Sequence, residues 1–327
     1  MNVIAENLLI KMQRGYGKFF KTPRQEIRLN TDYQGQEASH LIKDMISQAK
    51  PCMISRFGTI ENEAILRHLA IIDDHHDLLK VVRFIKDKTD PFWWDGELKS
   101  NMLNHAGFFP VNEKFLSRFA DRNLKDIKNI DVLACRLTEP NFLKNEVKLL
   151  KFCSNPKIIP IDDLDPFHHN PPWSQALEDQ KVLVIHPFEE SILHQYSQRE
   201  SLFKNPKILP KFDLKTLKAV QSIAGNQVEF SSWFEALEFM CDRVAQIDFD
   251  IALIGAGAYG LPLASFVKNL NKKAVHLGGS TQILFGIKGK RWDDIPFYRQ
   301  LYNENWIRPL VTNVVDNGEI VEGGCYW

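Results

Sequence analysis

Short apolar runs, each followed by a stretch of helical spacing, set the plan of this chain. The runs are Cys52–Ser55, Asp131–Ala134, Lys157–Ile161, Lys181–Ile185, Leu217–Gln221, Ile251–Ile254 and Ala274–Leu277. Helical patterns follow most of them, at Ile60–Ile72, Asn141–Phe152, Glu189–Phe203, Trp233–Ile247 and Tyr259–Leu270. Runs that are apolar throughout, instead of alternating, suit strands covered on both faces. Their alternation with helices predicts an α/β fold: a doubly wound, mostly parallel sheet with helices on both faces. Ligands of such sheets sit beyond the carboxyl ends of the strands, so the residues after each run are the candidates for chemistry.

The sixth run leads into Gly255, Gly257 and Gly260, then a helix, then the seventh run. That strand, glycine turn, helix and strand is the setting in which G-x-G-x-x-G has a physical meaning. The turn offers backbone N–H groups and the positive end of a helix dipole to a phosphate; a plain tight turn is the structural alternative. A nicotinamide dinucleotide would also want an acid at the end of the second strand to hold the ribose. Here that strand ends in His276-Leu277-Gly278-Gly279-Ser280, with no carboxylate. The basic cluster Lys288, Lys290 and Arg291 favours an anionic ligand. His276, Gly278, Gly279 and Ser280 offer backbone N–H and hydroxyl groups to it, although Ser280 also suits the N-cap of a short helix.

Two other strand ends carry candidates. After the first run come Ser55-Arg56-Phe57-Gly58-Thr59-Ile60-Glu61. Arg56 offers a planar fork for phosphate and Gly58 a sharp turn. Glu61 offers a carboxylate for a cation or a proton, or else helix capping with Thr59 as N-cap. After the fourth run, His186 or Glu189 is a candidate base, against the plainer reading of a turn in which Pro187 starts a helix. Asp162, Asp163, Asp165, His168 and His169 fit no standard metal spacing and read as a solvated loop. Trp93, Trp94, Trp292 and Trp306 suit a sugar site or the core.

Composition adds bounds. The 41 Lys plus Arg balance 41 Asp plus Glu, which gives no sign of a nucleic-acid partner. Five cysteines without a paired spacing read as free thiols in a reducing compartment. Residues 1–50 read as an N-terminal helical extension to a single α/β domain at 51–327, divided, if into two lobes, near the proline-rich 155–173. The start of the chain lacks signal-peptide character and no run is long enough to span a membrane. Ile4–Phe20 is amphipathic and basic, with Lys11, Arg14 and Lys18 followed by Lys21 and Arg24. It reads as a helix docked on the fold, with peripheral contact to an anionic membrane surface as the alternative.

Arg56-Phe57-Gly58-x-x-Glu61 after a strand resembles the RFGDGE signature of bacterial GT-D-type glycosyltransferases. The block ALIGAGAYGLPLA…KAVHLGGSTQILFGIKGKRW resembles a stretch of polysaccharide-cluster proteins assigned to the same group. Together the resembling segments cover somewhat over half the chain. The resemblance implies a Rossmann-related sheet and a cytoplasmic enzyme, at the inner face of the membrane. Such an enzyme would move a hexose from a nucleotide-diphosphate donor to a glycan or lipid-linked acceptor in capsule or other surface-polysaccharide biosynthesis. It also implies a divalent cation, Mn²⁺ or Mg²⁺, at Glu61 beside the sugar-nucleotide diphosphate. The family's first acid falls on Thr59 here, so Glu61 would need help from Glu63 or from Asp162, Asp163 and Asp165. Two further readings stand beside this one: a NAD-dependent oxidoreductase or epimerase using the glycine turn, and a non-catalytic nucleotide-sugar binding or assembly protein.

Overall fold

Strands β1 (Cys52–Arg56), β2 (Val132–Cys135), β3 (Lys157–Pro160), β4 (Lys181–His186), β5 (Asp213–Lys218), β6 (Ile251–Ile254) and β7 (Lys273–His276) form one sheet. Their order is β3-β2-β1-β7-β6-β4-β5, and every pairing is parallel. The structure, a computed structural model, describes residues 3–20, 27–321 and 323–327. The expected α/β class, with a parallel sheet wound on both faces, is what the chain adopts.

The helices are α1 (Val3–Phe19), α2 (Gln36–Ser47), α3 (Thr59–Ile72), α4 (Asp77–Ile85), α5 (Gly96–Asn104), α6 (Glu113–Asp126) and α7 (Pro140–Leu150). They continue with α8 (Glu189–Ser197), α9 (Trp233–Gln246), α10 (Gly260–Asn269), α11 (Ser280–Leu284), α12 (Lys290–Asp293) and α13 (Pro296–Leu301). Successive strand residues enter opposite cores, as the period of two requires. Met53, Leu133, Ile185, Ile254 and Ala274 pack with Ile65, Phe119, Met240 and Leu263 of α3, α6, α9 and α10. Ile54, Ala134, Val184, Leu253 and Val275 pack with Ile42, Ile192 and Ile283 of α2, α8 and α11, and with Trp173 and Trp306. Each fully buried Val, Leu, Ile, Phe or Met side chain among these contributes about 1.5–3 kcal/mol relative to exposure.

This winding opens the site. The neighbours β4 and β6 send their following helices, α8 and α10, to opposite faces of the sheet. So do β1 and β7, which lead to α3 and α11. Where adjacent strands part in this way, a crevice is left beyond their carboxyl ends.

Several local expectations are corrected. The fifth strand is Asp213–Lys218, of which the expected Leu217–Gln221 catches only the apolar end. It is an edge strand, and Asp213, Lys215 and Lys218 keep that edge polar. The pattern at Glu189–Phe203 breaks at Ser197 into a separate turn, Arg199–Ser201. Past Trp306 there is no ladder among the described residues, only an isolated bridge from Ile307 to Ile287 and the turns Val311–Asn313 and Gly318–Ile320. Residues 155–173 hold β3 and two short turns, Ile161–Leu164 and Pro166–His168, and end on the buried Trp173. Helices α4, α5 and α6, between α3 and β2, had no counterpart in the strand–helix alternation. Lys21 and Arg24 lie outside the described residues, and among those described no helix is long and apolar enough to cross a membrane.

The loop Asp162–His169 is not a solvated one. Asp163 accepts the Gly35 backbone N–H at 2.6 Å. Asp165 is buried and accepts from the Ser280 and Tyr298 hydroxyls at 3.0 and 3.1 Å. Burial pushes Asp165 up to about 7 despite both bonds. No disulfide joins any two of the five cysteines, and burial raises the Cys52 thiol to about 11.

Candidate functional site

The crevice holds a cavity of about 480 Å³, within the range of small-molecule sites. Its walls come from 56–62 after β1, Arg136 after β2, 186–188 after β4, 220–223 after β5, 255–259 after β6, and His276, Gly278 and Gly279 at the end of β7. His105, Ala106 and Gly107 add a wall from beyond α5, and Tyr326 with Trp327 adds another.

The three glycines of the turn have different jobs. A Cβ on Gly255 would lie 2.6 Å from the Gly278 carbonyl oxygen, 2.6 Å from Thr281 Oγ1 and 2.7 Å from His186 Cδ2. A Cβ on Gly260 would run into the His276 imidazole, and Gly260 does not line the cavity. Both therefore serve close packing of protein on protein. Gly255 and Gly257 both line the cavity, but only at Gly257 would a Cβ meet open space: its φ is +52° and the nearest atom to a Cβ there is the Ala106 oxygen at 3.8 Å.

Arg56 and Glu61 flank Gly58, and all three line the cavity. The Arg56 side chain lies along Gly278, with Nη1 3.5 Å from the position of a Cβ there. Among the described residues its guanidinium makes neither an ion pair nor a side-chain hydrogen bond. Gly58, not Thr59, is the N-cap of α3. The Glu61 carboxyl folds back over Gly58 and accepts its own backbone N–H, leaving no room for a Cβ at position 58. Burial holds Glu61 above the usual carboxylate range, with that one bond opposing. The other cavity arginines are engaged. Arg136 donates to Glu146 at 3.1 Å and to the Phe57 oxygen at 3.3 Å, while Arg291 donates to Cys325 Sγ at 3.3 Å and lies over the Tyr326 ring.

Two buried histidines complete the floor. His186 Nδ1 accepts the Phe188 N–H at 3.0 Å, which puts the proton on Nε2 and makes the ring a donor instead of a base. His276 Nδ1 pairs with Ser55 Oγ at 3.0 Å. Burial lowers His186 to about 3 and His276 to about 4. Both are neutral in the fold but take a proton in the unfolded chain below about pH 6.5. Each therefore contributes stability that is present above about pH 6.5 and is lost as the pH falls toward 3–4. The expected result is that His186→Asn loses less stability than wild type between pH 6.5 and 4, by roughly 1–3 kcal/mol in urea titrations at the two pH values.

Ten of the expected site residues meet in this cavity: Arg56, Gly58, Glu61, His186, Gly255, Gly257, His276, Gly278, Gly279 and Arg291. Four do not line it: Glu189, Gly260, Ser280 and Lys288. Glu189 opens α8. Ser280 is the first residue of α11, with Gly279 as N-cap, and its hydroxyl is spent on Asp165. Lys288 lies over Tyr302, away from the crevice. Trp93, Trp94, Trp292 and Trp306 are core residues, and Trp327 is the tryptophan at the cavity. Glu63, Asp162, Asp163 and Asp165, expected to assist a cation, do not line it. Among the described residues no group of three or more His, Cys, Asp or Glu side chains converges as a metal site.

Arg136 and Ser222 were open to discovery, since each follows a strand. His105, Tyr326 and Trp327 were not, because loops far apart in sequence carry them in. Comparison with protein-family models, curated proteins and solved structures found no match to this chain.

Proposed function

We propose that the cavity binds a nucleoside-diphosphate sugar and that the protein transfers the sugar to a hydroxyl of an acceptor glycan. The observation that carries this reading is Arg56, whose guanidinium has no ion-pair or hydrogen-bond partner among the described residues, laid along Gly278 in a crevice at the carboxyl ends of a parallel sheet. A planar, permanently charged fork in that place suits the diphosphate that must leave with negative charge. The Gly257 turn and the start of α3 add backbone dipoles of the same sign. Glu61, desolvated and raised, is suited to take the proton of the acceptor hydroxyl. His186 offers Nε2–H as a fixed donor, and Tyr326 and Trp327 offer flat faces for a base or sugar.

A thermal-shift panel tests this with UDP, GDP, CMP, UDP-sugars and NAD(H), each with and without Mn²⁺. A ligand selective for the fold raises the midpoint by mass action, about 2.7 kcal/mol at a hundredfold excess over Kd. The expected result is a rise with one nucleoside diphosphate and its sugar, followed by donor turnover when an acceptor is supplied. A rise with NAD(H) alone would overturn the proposal in favour of the dinucleotide reading. Binding without turnover of donor would leave a nucleotide-sugar binding protein.

A further inference from the structure

Helix α1 shows a face that the fold does not use. Leu9 is buried against Phe84 of α4 and Trp93, and the Glu6 charge acts on Arg67 of α3, so one side of α1 docks as expected. The opposite side is exposed. Ile4, Leu8, Met12 and Phe19 stand 80%, 57%, 46% and 87% exposed, and their spacing places them on one stripe of the helix. Lys11, Arg14 and Lys18 form the adjoining row, exposed and without an ion pair among the described residues. Glu6 is the one acidic residue of α1, and it lies on the docked side.

An apolar stripe beside a purely basic row, on a helix about 25 Å long, has the make-up of a helix that lies in a membrane interface. We propose that this face of α1 seats the protein on an anionic lipid surface. Ile4, Leu8, Met12 and Phe19 would enter the headgroup boundary, and Lys11, Arg14 and Lys18 would meet lipid phosphates. The charge row decides the occupant. A second copy docked on the same stripe would set these cations against their own counterparts, which like charges disfavour. An anionic bilayer matches all three. The helix is too polar to cross the membrane, so the seat is a reversible one.

Vesicle sedimentation of the full chain tests the seat. The probe is phosphatidylcholine vesicles with one-third phosphatidylglycerol, against phosphatidylcholine alone. The expected result is binding to the anionic vesicles only, weakened by salt. Each basic residue near such a surface contributes about fivefold, so replacing Lys11, Arg14 and Lys18 together by Gln should weaken binding about a hundredfold. Leu8→Glu with Met12→Glu should abolish it. Both variants change exposed positions, and an unchanged thermal midpoint verifies their folding. Wild-type protein that stays in the supernatant with anionic vesicles at low salt overturns the proposal. So does equal binding to both vesicle types. Lipid-free self-association that the Leu8→Glu, Met12→Glu variant removes, without vesicle binding, assigns the stripe to a second copy instead.

Discussion

Arg56→Ala should abolish the nucleotide-induced rise in melting midpoint and weaken binding by about a hundredfold or more, while the unliganded protein melts close to wild type. The two halves of that result have separate causes. A charge-assisted hydrogen bond contributes about 1.5–3 kcal/mol, and a fork engaging a diphosphate makes two of them. Against that, Arg56 holds no protein group among the described residues, so its removal leaves no orphaned partner in the fold. Arg56→Lys should recover only part of the affinity, because an ammonium is a point charge and cannot grip two oxygens in a plane. Calorimetric titration with the nucleoside diphosphate that shifts wild type measures all three proteins. Equal affinity in wild type and Arg56→Ala would remove the observation on which the proposed function stands.

The second large effect is expected from Gly260→Ala, and its sign is informative. Gly260 has helical dihedrals, φ −59° and ψ −48°, at the start of α10. For such a residue, exchange for alanine ordinarily stabilises by up to about 1 kcal/mol. Here the new methyl group would occupy the place of the His276 ring, which is buried and tied to Ser55. The ring must leave its bond or the helix must move. The expected loss is about 2–4 kcal/mol in urea denaturation. Combining it with His276→Ala should show a favourable coupling of about 1–3 kcal/mol, since the second change empties the contested space. Additive losses would mean that His276 is not what excludes a side chain from position 260.

These residues also show what the sequence disclosed. The unbroken apolar runs announced a sheet covered on both faces, because a strand with two cores can carry no polar alternation; Met53 and Ile54 enter different cores for that reason. The strand-end rule then found Arg56, Glu61, His186 and Gly257 without any knowledge of the strand order. It failed where a motif has two physical explanations. A glycine is required equally by a phosphate above the turn and by an imidazole below it, and the sequence does not separate Gly257 from Gly260. Ser280 failed similarly: its partner Asp165 comes from a loop after β3, and the sequence carried no sign of the pairing. Residues brought in by distant loops, His105 and Trp327 among them, had no local pattern to announce them.

The strand order has a consequence for the chain as it is made. The first three strands form one half of the sheet and β4 with β5 forms another, yet no strand pairing joins them until β6 and β7 slot between β4 and β1. On a ribosome the inner edges of both halves wait, unpaired and apolar, until Lys273–His276 has emerged. Pairing at such sequence separation is slow, and waiting edges invite association with other chains. The sheet can therefore close only after β7 has been made. A product truncated before β6 would be two incomplete half-sheets, a natural client for chaperones.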